Sequence, residues 1–123
     1  MAEGGRGNEG PQEESLSTDE ILEILSNYQR RGVIKHLRDA PGQVHSIDEI
    51  INYIKKLEQK RYGESPGEDH LLSVLVHVHG PKLEDGGLVD YDVPNREIRY
   101  YQNAKVERLL AKIETTVEEF EEE

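Results

Sequence analysis

Residues 71–92 read LLSVLVHVHGPKLEDGGLVDYD, and the fold of the chain depends on whether their first half is a strand or a helix. In a strand, Val74, Val76 and Val78 would share one face, but Leu75 would interrupt the polar face. In a helix, where each residue turns by about 100°, most apolar residues gather on one broad arc. That arc contains Leu71, Leu72, Leu75, Val76, Val78, His79 and Leu83. The local propensity of the valines favours the strand, so periodicity alone leaves both open.

The sequence around this stretch favours the helix. Pro66 and Asp69 supply a helix start, and Gly86-Gly87 supplies a stop. The stretch also lies between a strongly periodic helix and a hairpin pattern, which is where a recognition helix belongs in a winged helix-turn-helix. We therefore predict a helix over about residues 69–85.

Three earlier helices are predicted from capping residues and apolar spacing. Ser17 with Glu20, and Ser46 with Glu49, have the spacing of capping boxes, and Asn27 can cap a helix between them. Apolar residues follow each cap at helical spacing. They are Ile21, Leu22, Ile24 and Leu25, then Val33, Ile34 and Leu37, then Ile47, Ile50, Ile51, Ile54 and Leu57.

A short strand and a hairpin complete the pattern. Residues 43–45 are long enough only for a short strand, and apolar residues on both sides of Val93-Pro94-Asn95-Arg96 predict a hairpin with a turn there. The predicted fold is mainly α with a small β-hairpin wing, a winged helix-turn-helix plus a C-terminal helix. The predicted parts are a disordered acidic tail at 1–15, a winged helix-turn-helix domain at 16–102 with its wing at 87–101, and an amphipathic helix at 103–123.

The C-terminal helix carries a heptad pattern, with Asn103 as its cap. Its apolar residues step by four, three, four and three, as in a coiled-coil seam. They are Val106, Leu110, Ile113, Val117 and Phe120. We expect this seam to join two protomers in a homodimer.

Composition limits the class of protein. The 123 residues contain no cysteine, which excludes disulfides and thiolate metal sites. No apolar run approaches a membrane span, and the first residues lack a signal-peptide core, so we expect a soluble cytoplasmic protein without membrane contact. The net charge is −11, but residues 27–62 carry eight Lys and Arg against four Asp and Glu. An acidic total argues against tight nucleic-acid binding in dilute salt, although local charge matters more.

The motif His77-x-His79-x-Pro81-Lys82-Leu83 followed by Gly87-Leu88-Val89-x-Tyr91-Asp92 resembles one found in small haloarchaeal winged-helix proteins, a domain of unknown function. The resemblance covers about residues 20–101. It implies an archaeal, halophilic origin and a fold related to prokaryotic winged-helix transcription regulators. Gly80 departs from the pattern, where a leucine is expected, which would loosen packing there. Since Pro81 also disfavours α geometry at Gly80, we expect a kink or a break at Gly80-Pro81.

With this fold, the expected function is sequence-specific DNA binding by a dimeric transcription regulator, with double-stranded DNA as partner. The exposed arc of the recognition helix would enter the major groove, while the wing and the first core helix would hold the backbone. The candidate contacts are His70, Ser73, Val74 and His77 on the recognition helix, Arg96 and Arg99 on the wing, and Arg30, Arg31 and Lys35 on the first core helix.

Other functions remain open. Acidic residues flank the recognition helix, which would suit a protein-interaction module binding a basic partner or the transcription apparatus without DNA. A third reading is a metal sensor using His70 and His77. On a helix His77 and His79 diverge by about 200°, so we expect no metal or other cofactor, and His79 becomes a core residue. No nucleophile, base or phosphate loop forms a catalytic motif, so we expect no enzyme.

Overall fold

The computed structural model describes residues 16–40 and 42–121, with side chains described as far as residue 116. The predicted tail at 1–15 lies outside the described residues, as do the side chains of Val117 and Phe120. The described helices are α1 (Thr18–Ile24), α2 (Tyr28–Leu37), α3 (Ile47–Tyr62), α4 (Glu68–Val74), a π-helical segment (Leu75–His79), α5 (Gly80–Asp85) and α6 (Ala104–Glu121). The strands are β1 (Val44–Ser46), β2 (Val89–Asp92) and β3 (Glu97–Tyr100).

The predicted helix starts at Ser17 and Asn27 are confirmed, whereas α4 begins after Gly67 without a side-chain cap rather than at Asp69. The Ser17 side chain accepts a hydrogen bond from the Glu20 amide, and the Glu20 carboxylate accepts one from the Ser17 amide. The Asn27 side chain accepts hydrogen bonds from the amides of Gln29 and Arg30 at 2.8 and 3.2 Å. Such caps satisfy amides that have no partner inside the helix, and each stabilises the fold by about 1 kcal/mol.

The second predicted capping box forms only in part. Ser46 accepts a hydrogen bond from the Glu49 amide at 3.0 Å. The Glu49 carboxylate instead accepts hydrogen bonds from two histidines, His36 and His45. The helix that follows, α3, ends at Gly63, whose φ of 83° places it in the left-handed conformation typical of helix ends.

The ambiguous stretch is helical. We call α4, the π-helical segment and α5 together the composite helix, since they follow one another without a gap from Glu68 to Asp85. The predicted irregularity at Gly80-Pro81 therefore appears as a widened turn rather than a break. Pro81 cannot donate a hydrogen bond, and its ring would press on the carbonyl of the residue four positions earlier in a regular α-helix. The π-helical turn just before Pro81 changes that spacing.

Gly80 makes the packing tighter at this turn, contrary to the expectation that it loosens it. A Cβ at this position would lie 2.8 Å from the Leu75 carbonyl oxygen and 2.9 Å from the Cζ atom of Tyr91. The Tyr91 hydroxyl donates to the Val76 carbonyl at 3.1 Å. The small residue thus lets strand β2 approach the helix closely.

The three strands form one antiparallel sheet in the order β1-β3-β2. The predicted hairpin is confirmed, because Val89 pairs with Tyr100 and Asp92 pairs with Glu97 on either side of the predicted turn. Strand β1 pairs with the other edge of β3, with His45 opposite Ile98. It lies one residue later than predicted. The sheet therefore ties the hairpin to the junction between α2 and α3.

The core includes the start of α6, which corrects the prediction for part of the heptad seam. Val106 and Leu110 are fully buried within the protomer, and Ile113 packs partly against the same core. The Asn103 side chain caps this helix by accepting from the Val106 amide at 3.0 Å. Val106 and Leu110 are thus unavailable to a second protomer, because the first turns of α6 cover the protomer's own core.

None of the described helices has both the length and the apolar composition needed to cross a bilayer.

Candidate nucleic-acid interface

The exposed face of the composite helix carries the predicted base contacts. His70, Ser73 and His77 are exposed and Val74 is half-buried. Within the described part of the chain, no side chain is hydrogen-bonded to His70, Ser73 or His77. Val78, which the sequence placed on the buried arc, is instead 47% exposed beside them. We call His70, Ser73, Val74 and His77 the recognition face.

His79 lies in the core, as the sequence predicted. It is 3% exposed, and its Nδ1 accepts from Arg30 Nη1 at 3.2 Å while its Nε2–H donates to Gln29 Oε1 at 2.9 Å. Burial, with the nearby Arg30 charge, lowers the pKa of His79 from 6.5 to about 4. The ring is therefore neutral at pH 7 and serves to join the composite helix to α2.

Arg30 is not available to DNA, which corrects the prediction for this residue. It is 5% exposed, its Nε donates to the Ile24 carbonyl at 2.7 Å, and its Nη2 donates to the Glu23 carbonyl at 3.1 Å. These carbonyls are at the C-terminal end of α1, where a helix has unpaired acceptors. Arg30 therefore links α1, α2 and the composite helix from inside.

The other two predicted backbone contacts on α2 also have partners within the chain. Arg31 is half-buried and donates to the Leu25 carbonyl at 2.7 Å. Lys35 is exposed and forms an ion pair with Glu114 of α6 at 3.0 Å. Lys35 could exchange this surface partner for a phosphate at little cost, whereas Arg31 would leave a carbonyl unpaired.

The wing holds the remaining predicted contacts. Arg96, in the turn of the hairpin, forms an exposed ion pair with Asp48 at the start of α3 and has a positive φ of 54°. Arg99 is half-buried and donates to the Gly42 carbonyl. The hydrogen bond from Arg96 holds the pKa of the Asp48 carboxyl below its usual range. These contacts position both guanidinium groups on the sheet side of the molecule.

An acidic groove lies beside the recognition face, between α1 and the C-terminal part of the composite helix. Its volume is about 600 Å³. Lys82 crosses its edge and pairs with Glu23 at 2.8 Å, which holds the pKa of that carboxyl below its usual range. Residues lining the groove include Asp19, Glu20, Glu23, Asp85, His77 and Val78. The acidic surroundings of His77 would repel a phosphate backbone on this side.

A second cluster, which the sequence did not predict, lies at the junction of α2, β1 and α3. His36 Nε2 is 2.6 Å and His45 Nδ1 is 3.0 Å from the same oxygen, Oε2 of Glu49. The three residues come from separate elements and are nine and four positions apart, a spacing that matches no metal or catalytic motif. The sequence signal at Glu49 is its third position in a predicted capping box, which indicates a helix cap and not a ligand. His70 and His77 share no such group with a third potential ligand among the described residues.

The fold and the exposed helix define a class: a mainly helical protein with a three-stranded antiparallel sheet in a winged-helix-like arrangement and an added C-terminal helix. The family model of a domain of unknown function (DUF7344) matches residues 22–99, and the chain belongs to that family. No curated protein and no solved structure matches the chain. The matched region runs from α1 to β3, so it contains the composite helix and the hairpin.

Proposed function

We propose that the protein is a sequence-specific DNA-binding transcription regulator that uses the composite helix in the major groove and the hairpin as a wing. The observation that carries the proposal is the recognition face itself. It presents an uncharged hydroxyl and two imidazoles, with no partner in the described chain, on a helix held rigidly by core contacts. Such groups can hydrogen-bond base edges, and the Val74 methyl groups can contact the methyl of thymine.

The local charges favour a complex in which contacts with base edges contribute more to binding than attraction between cationic side chains and phosphates. The recognition face has no acidic residue, but Asp69 precedes it and Glu84 and Asp85 follow it. Cations come from the wing and from α3, where Lys55 pairs with Glu68 at the start of the composite helix at 3.0 Å. Since few phosphates would be neutralised, we expect a shallow dependence of affinity on salt.

Selection of bound sequences from random double-stranded DNA at several salt concentrations tests this proposal. An enriched sequence would then be used in anisotropy titrations. Ser73→Ala and His77→Gln should change the preferred bases and weaken the selected site by about tenfold, as expected for loss of one base contact. Arg96→Ala should weaken all sequences alike.

The matched control is Arg108→Ala, which removes the same charge from an exposed position on α6 rather than from the wing. It should bind like the wild type. Equal binding by Ser73→Ala, His77→Gln, Arg96→Ala and the control would reject the proposal.

We further propose that the regulator acts as a homodimer through the distal part of α6, which continues beyond the core residues as far as Glu121. Deleting the whole of 103–123 would also remove Val106 and Leu110 from the core, so a shorter deletion is required. A chain ending at residue 116 keeps both. Light scattering should show a dimer for the full chain and a monomer for the shortened one; equal masses would remove this role for α6.

A second candidate function is binding of a basic protein segment in the acidic groove. The observation favouring it is the concentration of carboxylates around an open groove next to the exposed Val78 side chain. Pull-down from an extract with and without nuclease separates the two functions, because partners held through DNA are lost on nuclease treatment. A charge-neutralised groove, Asp19→Asn with Glu20→Gln, should lose protein partners and keep DNA binding.

A further inference from the structure

We propose that His36, His45 and Glu49 form a binding site for a divalent transition-metal ion of the zinc class. We call these three residues the junction cluster. The proposal is independent of DNA binding, because none of the three belongs to the recognition face or the wing.

The argument begins with the convergence of the ligand atoms. One nitrogen of each histidine and one carboxylate oxygen lie within 4.8 Å of one another. Two of the three separations are 2.6 and 3.0 Å. Around a metal bound at about 2.1 Å, neighbouring ligand atoms lie about 3.0 Å apart at right angles and about 3.4 Å apart in a tetrahedron. The 3.0 Å separation already matches this spacing, the 2.6 Å separation must widen by about 0.4–0.8 Å around an ion, and the two histidine nitrogens lie no more than 4.8 Å apart.

The residue types suit this class of metal. Two imidazole nitrogens and a carboxylate oxygen are ligands that zinc and its neighbours accept, whereas calcium and magnesium prefer oxygen alone. Three protein ligands leave a position for water, as in open zinc sites. Solvent can reach that position, because the side chains of His36 and Glu49 are 28% and 41% exposed. The His45 side chain, at 12%, forms the closed side of the site.

Three separate elements position the three ligand side chains. His36 lies near the end of α2, and its ring stacks on Tyr53 of α3 with centroids 4.6 Å apart. His45 is fixed by the pairing of β1 with β3. Glu49 lies in the first turn of α3, and its carboxylate is free for the cluster because it does not return to the N-cap. A bound ion would connect α2, β1 and α3 at one point.

Not every polar atom of the metal-free cluster has a hydrogen-bond partner among the described residues. A ring nitrogen of each histidine contacts the same Glu49 oxygen, and the hydrogen bonds from His36 first and His45 second hold the pKa of that carboxyl below its usual range. The other nitrogen of His45, Nε2, is buried with no hydrogen-bond partner among the described residues. When Nδ1 binds metal, the proton moves to Nε2, which remains unpaired.

Calorimetric titration of the full chain with Zn²⁺, after treatment with a chelator, tests the site. We expect one equivalent of Zn²⁺ to bind in the wild type, and His36→Gln and Glu49→Gln to weaken binding by at least about tenfold, since even residues that only orient ligands have effects of that size. The matched controls are His77→Gln and Glu64→Gln, which remove the same groups from exposed positions outside the cluster. They should bind as the wild type does.

NMR and thermal denaturation of the wild-type chain test the same site without any variant, so the result does not depend on whether a variant folds. Zn²⁺ should shift the imidazole NMR signals of His36 and His45 and leave those of His70 and His77 unchanged. It should also raise the melting temperature, because an ion that binds only the folded state stabilises it. Replacing Zn²⁺ by Mg²⁺ should give neither effect. Absence of one-equivalent binding, equal affinity in His36→Gln and His77→Gln, or shifts confined to other residues would overturn the proposal.

Discussion

Two pairs of histidines show how differently sequence distance and spatial distance can behave in this protein. His77 and His79 are separated by one residue, yet His77 is exposed and His79 is buried against Arg30. His36 and His45 are nine positions apart, on different elements, yet both contact one oxygen of Glu49. An H-x-H pattern indicates a shared site only on a strand, because side chains of a strand repeat every two residues.

The surroundings of His79 and of the junction cluster differ as well. The pocket of His79 is closed, with both ring nitrogens hydrogen-bonded and the ring almost wholly covered. The junction cluster opens to solvent, and the buried Nε2 of His45 has no hydrogen-bond partner among the described residues. The first arrangement stabilises the fold as it is, whereas the second can accept an additional ligand. Three substitutions and one change of pH test this contrast, and the substitutions are ordered from the largest expected effect to the smallest.

Replacing Arg30 should have the largest effect. Arg30→Met removes the donor that satisfies His79 and the carbonyls of Glu23 and Ile24, and unpaired buried groups cost about 1–3 kcal/mol each. We expect the free energy of unfolding in urea to fall by about 3 kcal/mol. Arg108→Met, from an exposed position on α6, is the control and should change it little. A small loss in Arg30→Met would mean that the closed pocket does not stabilise the fold.

Adding a methyl group at Gly80 should come next. Gly80→Ala would press on the Leu75 carbonyl and the Tyr91 ring, and overpacking of this kind costs about 1–3 kcal/mol. Better helix propensity stabilises the chain by about 1 kcal/mol, so we expect a net loss of at most about 2 kcal/mol by chemical denaturation. Gly67→Ala is the control, since a Cβ there meets nothing within 4 Å. A stabilised Gly80→Ala chain would contradict the close approach of β2 to the composite helix.

Acid should weaken the closed pocket. The folded-state pKa of His79 is about 4, below the ordinary value of 6.5, so the unfolded chain takes up the proton first as the pH falls. The contribution is complete above about pH 6.5 and is lost as the pH falls to about 4, at no more than about 1.4 kcal/mol per pH unit. Urea denaturation across this range should show a shallower pH dependence for His79→Gln than for the wild type. His77→Gln should keep the wild-type dependence; the same slope in all three chains would show that His79 titrates normally.

The junction cluster should tolerate substitution best when no metal is present. Glu49→Gln removes the charge from a carboxylate that is 41% exposed, and such partly solvated contacts contribute about 1 kcal/mol or less. Thermal denaturation in the presence of a chelator should show a change of this size. A loss above about 2 kcal/mol would identify the cluster as a structural network like the pocket of His79 and would remove the contrast between them.

Much of the local structure could be read from the sequence. Ser17, Asn27 and Ser46 mark helix starts because each has a side-chain oxygen that reaches amides two or three residues ahead. The turn at 93–96 and the buried faces of α2 and α3 follow from turn residues and from the helical period in the same way. The composite helix could be predicted only with the help of the neighbouring elements, because its own residues fit both the helical and the strand period.

The candidate site was predictable only in part. Ser73 and His77 were placed on the exposed face correctly, since helical spacing separates faces within one element. The sequence predicts Arg30 as an exposed backbone contact on α2, since arginine is rarely buried, and nothing local shows that the end of α1 lies within its reach. The role of Val106 was misassigned for a similar reason: a heptad seam has the same pattern whether it packs on a second protomer or on its own core.

By itself, the sequence determined where the helices, the hairpin and the exposed recognition face lie, because caps, turns and periodicity act over a few residues. Only the tertiary structure decided which charged and polar groups meet: Arg30 with His79, and His36 and His45 with Glu49. Those contacts join residues on separate elements, and they depend on how α2, β1, α3 and the composite helix pack around one core. The missing donor of Pro81 predicted an irregularity near Gly80, but its form as a π-helical turn and the close approach of Tyr91 to Gly80 are seen only in the structure.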